Sequence, residues 1–450
     1  MESIESEERI FSNKDLMTLI IPLIIEQMLT VTVGLADSIM IASVGEAAVS
    51  GVSLVDSIMM LLANVFAALA TGGAVVAGQY LGQKKEILAC KTADQLILFI
   101  TILSMGIIAL IYLGRNLILH GVFGQIEVDV MYNARVYLLI VTASIPFLAV
   151  YNGCAALFRT MGNSKIAMNM SLLMNGINIT GNAICIYGMG MGVEGAAIPT
   201  LLSRMATAVI MIFLLRDQSL CVHFSKHFRF QFKGIFIQKI LYIGVPNGIE
   251  NSMFQLGKIL VLSLVAGFGT ASITANAVGN MVAMFAIIPG LAMGLAMLTV
   301  ISRCVGANDY ESVRYYTKKL LKITYASLIL FNGIVICLLP VIIWAYHLSP
   351  ETAEIAKKII LYHTICCVTI WPISFSLPNT LRASNDVKYC MITAIISMWI
   401  CRIFFSFVLG KWMGLGVLGV WIAMTLDWFV RAILFVIRYR RGKWQYHTLT

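Results

Sequence analysis

Uninterrupted apolar runs, rather than alternating ones, dominate this chain. Residues 96–113, 137–157 and 323–344 carry no charged side chain, and 392–409 carries only Arg402. Each approaches the roughly 20 residues that an α-helix needs to cross a bilayer. A spanning segment must pair all its backbone polar groups internally, so it is either a helix or part of a closed barrel. A barrel would show short segments of alternating hydrophobicity, whereas these runs are continuous. The pattern therefore predicts an all-α polytopic membrane protein with twelve transmembrane helices, at residues 16–43, 49–77, 93–113, 132–158, 166–188, 193–215, 240–266, 275–301, 320–346, 357–381, 389–409 and 415–437.

The polar positions repeat. Pro22 and Glu26 recur 224 residues later as Pro246 and Glu250. The same offset maps Gly45 onto Gly269, Ala47 onto Ala271, Gly82 onto Gly306, Gly192 onto Gly416 and Gly195 onto Gly419. Arg159 and Lys165 recur one residue out of register as Arg382 and Lys388. Two copies of a six-span unit have the same orientation in the membrane, so two six-helix lobes related by a parallel pseudo-two-fold repeat are expected. The amino-terminal lobe is expected at 1–216 and the carboxy-terminal lobe at 240–450. The charged, histidine-containing stretch 217–239 joins them as a cytoplasmic linker.

Composition agrees with this class. The chain is 59% apolar and only 12% charged, with a mean hydropathy of +0.88; an ordinary soluble domain is about 25% charged. The net charge of +10 would point to nucleic acid in a soluble protein, but here the bases lie between the apolar runs. One side collects 23 Lys and Arg and the other 5; the remaining 4 of the 32 (Arg204, Lys258, Arg402 and Arg431) lie within spans. By the positive-inside rule the richer side, with both termini, is cytoplasmic. The first eight residues hold four acids and no base, so no signal peptide is read there. The ten cysteines are scattered, without a C-x-x-C, and read as small buried hydrophobes.

Charges inside spans carry the candidate chemistry, because an ionisable group within a membrane is costly and points to function. Glu26 and Asp37 share the first span. Eleven residues apart, they fall on one helix face, roughly 16 Å apart along the axis. A carboxylate facing a cavity can take a proton, since burial disfavours the charged form, or a sodium ion if other oxygens surround it. Asn178 and Asn182, at i and i+4, present such oxygens on one face of the fifth span, and Thr200 adds a hydroxyl on the sixth. The alternative for these amides is interhelical hydrogen bonding. Asp427 and Arg431 have the spacing of an intrahelical salt bridge. Asp56 and Arg204 read as structural charges, and Arg402 and Arg431 as residues able to snorkel towards the membrane surface.

The ordered motifs resemble the multidrug and toxic compound extrusion (MATE) family over essentially the whole chain. They are Gly34-Leu35-Ala36-Asp37-Ser38-Ile39-Met40 after Pro22, Gly78-Gln79-Tyr80-Leu81-Gly82, Arg159-Thr160-Met161-Gly162-Asn163, and Gly192-Val193-Glu194-Gly195-Ala196-Ala197. The second half answers with Ile243-Gly244-Val245-Pro246 and Gly306-Ala307-Asn308. The resemblance implies a secondary antiporter that exports organic cations or amphipathic drugs in exchange for sodium or protons, by alternating access across the cell membrane. It implies coupling of the cation at Asp37, Asn178, Asn182 and Thr200, with no catalytic residue and no cofactor beyond the coupling ion. Expected partners are a small-molecule substrate and the lipid bilayer, not nucleic acid, with the chain acting as a monomer.

The chain departs from the family pattern in three places. Asn182 stands where some relatives carry aspartate, which removes a titratable partner for Asp37. Phe254 stands where many carry a glutamate on the seventh span, and the acid of the tenth span is missing from Ile370-Trp371-Pro372-Ile373-Ser374. Glu26, Glu250 and Lys258 are the remaining candidates for a substrate or gating role, Lys258 either as a partner of Glu250 or as a selector of substrate charge. An alternative transport reading is a flippase for lipids or lipid-linked oligosaccharides; its cavity should hold more bases than Lys258 and Arg204 supply. An intramembrane enzyme would need a nucleophile–base set or an H-E-x-x-H metal motif, and the sequence has neither.

Overall fold

A computed structural model describes residues 10–122, 127–225 and 231–447, with Val122 described by its backbone alone. Of the bases counted above, Arg9, Lys226 and Arg229 lie outside the described residues. Every regular element among those described is helical. The chain forms two compact units. One is Met17–Gly248; the other runs from Ile249 onwards and includes the described residues before Met17.

In the first unit the helices are α1 (Asn13–Ala42), α2 (Glu46–Gly82), α3 (Glu86–Asn116), α4 (Val128–Thr142), α5 (Ile145–Thr160), α6 (Ser164–Asn182), α7 (Glu194–Leu214) and the first half of α8 (Gly234–Ala266). The second holds the rest of α8, α9 (Thr270–Ala286), α10 (Ile288–Gly306), α11 (Tyr310–Ala345), α12 (Pro350–Thr369), α13 (Leu377–Ala383), α14 (Val387–Ser397) and α15 (Gly416–Arg440). Among the described residues, nine helices are long and apolar enough to cross a membrane, and eleven if two bent pairs each count as one span. Helix α6, with Asn169, Asn175, Asn178 and Asn182, is not among the eleven but occupies the predicted fifth span.

Three predicted spans are interrupted, each beside a proline. Span 132–158 bends by 48° between α4 and α5, ahead of Pro146, and span 357–381 bends by 61° between α12 and the turn that starts at Pro372. Span 275–301 breaks at Ile287, ahead of Pro289. Proline lacks the N–H that would continue the ladder, and its ring clashes with the carbonyl one turn back. Pro22 and Pro246, by contrast, lie inside continuous helices.

The duplication extends to the backbone. Left-handed residues recur at the repeat offset: Gly45 with Gly269, Lys84 with Asn308, Gly190 with Gly414 and, at the offset of the arginine motif, Gly162 with Asn385. The fifth span ends in a π-helical turn, Ala183–Gly188, and the eleventh ends in two, Met398–Phe404 and Ser406–Trp412. The following helix packs on that turn through a glycine in both units. A Cβ on Gly195 would lie 2.9 Å from Ile186 Cγ1, and one on Gly419 would lie 2.6–2.7 Å from the backbone of Leu409 and Gly410.

The buried charges at the repeat positions are also packed alike. Arg159 donates to Glu26, joining α5 to α1. Arg382 Nη2 donates to both oxygens of Glu250 at 2.7 and 2.8 Å, joining α13 to α8. Arg431 Nε lies 3.2 Å from Asp427 Oδ1, as the spacing predicted. Arg402 and Arg431 do not snorkel: they are 9% and 3% exposed, turned inwards by neighbours that include the ring of Phe254 and Asp427, respectively. The linker is pinned to the start of α3. Gln95 Nε2 donates to the Gln231 carbonyl at 2.9 Å, and Ser225 donates to Asp94.

Gly419→Ala should destabilise the protein by about 1–3 kcal/mol, because the new methyl meets rigid backbone. Thermal unfolding in detergent measures this. Gly333→Ala, where the added Cβ meets nothing within 4 Å, should leave the melting temperature unchanged or raised. Equal behaviour of the two variants would refute the close-packing account.

Candidate functional site

A cavity of about 280 Å³ opens within the first unit, lined by α1, α2, α4, α6 and α7. Its polar wall contains Asp37, Asp56, Tyr137, Asn175, Asn178, Asn182, Thr200 and Arg204. The four residues predicted to couple a cation are therefore brought together, by the consecutive helices α6 and α7 and the sequence-distant α1. Local geometry accounts for the meeting. Asn178 and Asn182 lie one turn apart on α6. Helix α7 reaches α6 at Gly181, where a Cβ would come within 2.6 Å of the Pro199 ring. That close approach sets Thr200 beside the two amides.

Asn182 Nδ2 donates to Asp37 Oδ1 at 2.8 Å. With its amide oriented to satisfy its neighbours, Asn178 donates to the same oxygen at 2.7 Å and accepts from Thr200 Oγ1 at 3.0 Å. The threonine hydroxyl also has the Ala196 carbonyl within 2.8 Å. Asn182 Oδ1 is buried and makes no hydrogen bond among the described residues. A carboxylate, two amides and a hydroxyl thus converge, with one amide oxygen unsatisfied. This donor set fits a hard cation such as sodium, and the single acid fits a proton equally well.

The cavity also holds groups that the sequence had assigned to packing. Tyr137, which no sequence signal singled out, donates its phenolic proton to Asp56 Oδ1 at 3.1 Å. Arg204 Nη1 donates to Ser144 Oγ at 2.8 Å, and its charge faces Asp56 and Asp37. Two carboxylates against one guanidinium leave the wall one charge negative. The available signal was the position of Asp56 and Arg204 within spans, where a charge needs a reason to be present.

The other three candidates lie elsewhere. Glu26 is 4% exposed and held by Arg159; Glu250 is 8% exposed and held by Arg382. Lys258 does not pair with Glu250; its ammonium lies 4.9 Å from the centroid of the Phe254 ring.

Comparison with known proteins follows the same two-part division. The "Uncharacterized transporter YisQ" of Bacillus subtilis is 26% identical over 440 residues, covering 95% of this chain and 94% of that protein. The "Probable multidrug resistance protein NorM" of Thermotoga maritima is 26% identical over 450 residues, covering 96% and 93%. The crystal structure of a MATE protein in complex with MaD3S superposes with a TM-score of 0.88 at 19% identity, covering 95% of both chains, and so shares the fold. The MatE family profile matches twice, at residues 22–184 and 246–408, and the two matches are offset by the same 224 residues as the repeat. Together they cover well over half of the sequence, and the chain belongs to the MatE family.

Proposed function

We propose that this protein is a secondary antiporter that exports organic cations or amphipathic drugs and is driven by a cation, sodium or a proton, taken up at Asp37. The observation that carries this reading is the convergence of Asp37, Asn178, Asn182 and Thr200 on one small cavity with a net negative wall. Membership in the MatE family and similarity to proteins named as probable multidrug resistance proteins support the direction and class of transport. The site is lined by a single unit of one chain, so the reading requires no second copy.

The same side chains serve either ion. An ionised Asp37 accepts from both asparagines, and a sodium ion would add the free Asn182 oxygen to its ligands. A proton on Asp37 would instead be donated to the Asn178 oxygen. The amide would then turn its N–H₂ to Thr200, and Thr200 would direct its proton to the Ala196 carbonyl. The two states differ in charge and in the direction of the hydrogen bonds that join α1, α6 and α7, and a coupling site requires two such distinct states. Glu26 and Glu250, buried with their arginines, brace the helices that carry such a change, and both termini face the cytoplasm of the cell.

Asp37→Asn should abolish gradient-driven dye efflux from inverted vesicles while the protein still inserts and folds. Full efflux by a well-expressed variant would sink the reading. Asp56→Asn makes the cavity wall neutral and should weaken dependence on the coupling cation by roughly tenfold, on the order of 1–2 kcal/mol of lost attraction. Titrating efflux against imposed sodium and proton gradients tests this, and an unchanged titration counts against a role for the wall charge. For topology, Lys233→Cys in a background without native cysteines should be shielded from an impermeant thiol reagent in intact cells. Ready labelling from outside would reverse the orientation.

A further inference from the structure

The unit that runs from Ile249 onwards holds more positive than negative charge around one ring. Lys258 Nζ lies 4.9 Å, and Arg402 Cζ 4.8 Å, from the centroid of Phe254. Two elements bring them together. Lys258 and Phe254 are one turn apart on α8, and Gly257 of α8 packs against Met398, one turn before Arg402. The acid that faces Arg402 is Asp427. That acid is already engaged: Ser397 Oγ donates to its Oδ1 at 2.5 Å, and Arg431 Nε lies 3.2 Å from it. Glu250, on the same helix, is held by Arg382. His363, edge-on to Trp421 and Trp428, contributes no negative charge. Two cations thus meet at one ring, and the acid that faces Arg402 is already paired with a third cation, Arg431.

Such an arrangement is costly without a further anion. Attraction to an aromatic face offsets only part of the cost of burying a guanidinium. Arg402 is 9% exposed, and its Nη1 is buried with no hydrogen-bond partner among the described residues. Lys258, in contrast, is exposed although it lies two turns inside the end of α8. A charge at that depth is disfavoured in lipid, so its exposure marks a place where water or a ligand reaches the helix. The planar guanidinium fork matches a carboxylate, lysine supplies a point charge, and the half-buried Phe254 ring offers an apolar face to the body of the same molecule.

We propose that Lys258, Arg402 and Phe254 form a binding site for the carboxylate of an aromatic organic anion or zwitterion. This extends the range of ligands beyond the cations of the export reading, and it concerns residues that the coupling site does not use.

Rhodamine B and its methyl ester test the site, because they share one ring system and differ in the free carboxylate. Binding to the purified full-length chain in uncharged detergent is followed by fluorescence polarisation. The parent should bind rhodamine B more tightly than the ester. Lys258→Gln and Arg402→Gln should each weaken rhodamine B by roughly tenfold or more and leave the ester within about twofold. Lys258 is exposed, so Lys258→Gln is decisive even if Arg402→Gln fails to fold. Equal losses for both dyes, or a carboxylate preference retained by Lys258→Gln, would overturn the proposal. Failure of the parent to bind rhodamine B would also overturn it; binding of the ester in that case leaves the cation-export reading standing.

Discussion

A charge inside an apolar helical bundle has to be neutralised, hydrated or put to use, and most polar features of this chain answer to that constraint. Where the charge is neutralised, it fastens helices together. Glu26 with Arg159 and Glu250 with Arg382 are buried ion pairs between helices, and Asp427 with Arg431 is one within α15. The first two join the opening helix of a repeat to the helix that precedes its fifth span. Removing one partner of such a pair leaves an uncompensated charge, which costs several kcal/mol, so the two pairs between helices act as register marks for the helices they tie.

The places where neutralisation is incomplete are the functional candidates. In the first unit two carboxylates face one guanidinium, and the wall carries a surplus negative charge beside a set of oxygen ligands. In the second unit Lys258 and Arg402 meet at Phe254, Asp427 is taken up by Arg431, and the surplus is positive. The two halves keep the same framework, down to paired left-handed residues such as Lys84 and Asn308. They have diverged in the sign of the charge left over. The ring that carries the positive cluster, Phe254, stands where the family resemblance implies a glutamate.

Asn182 illustrates how a substitution redistributes rather than removes charge. Its amide replaces the aspartate of some relatives, which from sequence reduces the site to one acid. Folding brings in Asp56 from α2, bonded to Tyr137 and balanced by Arg204. The second carboxylate is present, but it arrives from a different helix.

Sequence by itself determined the helical membrane class and the duplication, and it singled out Asp37, Asn178, Asn182 and Thr200 as candidates. Continuous apolar runs allow only spanning helices, a repeat in register survives as a pattern, and Asn178 and Asn182 reveal their shared face through the helical period. Only the tertiary structure decided which charges meet. Arg159 lies 133 residues from Glu26 and Arg382 lies 132 from Glu250. No local spacing marks those partners, nor the meeting of Lys258 with Arg402 around one ring. The breaks ahead of Pro146, Pro289 and Pro372, against uninterrupted helix through Pro22 and Pro246, likewise depend on what packs around each proline. Periodicity reports the face of one helix, whereas a site is an agreement between several, and that agreement is fixed by the packing of distant segments.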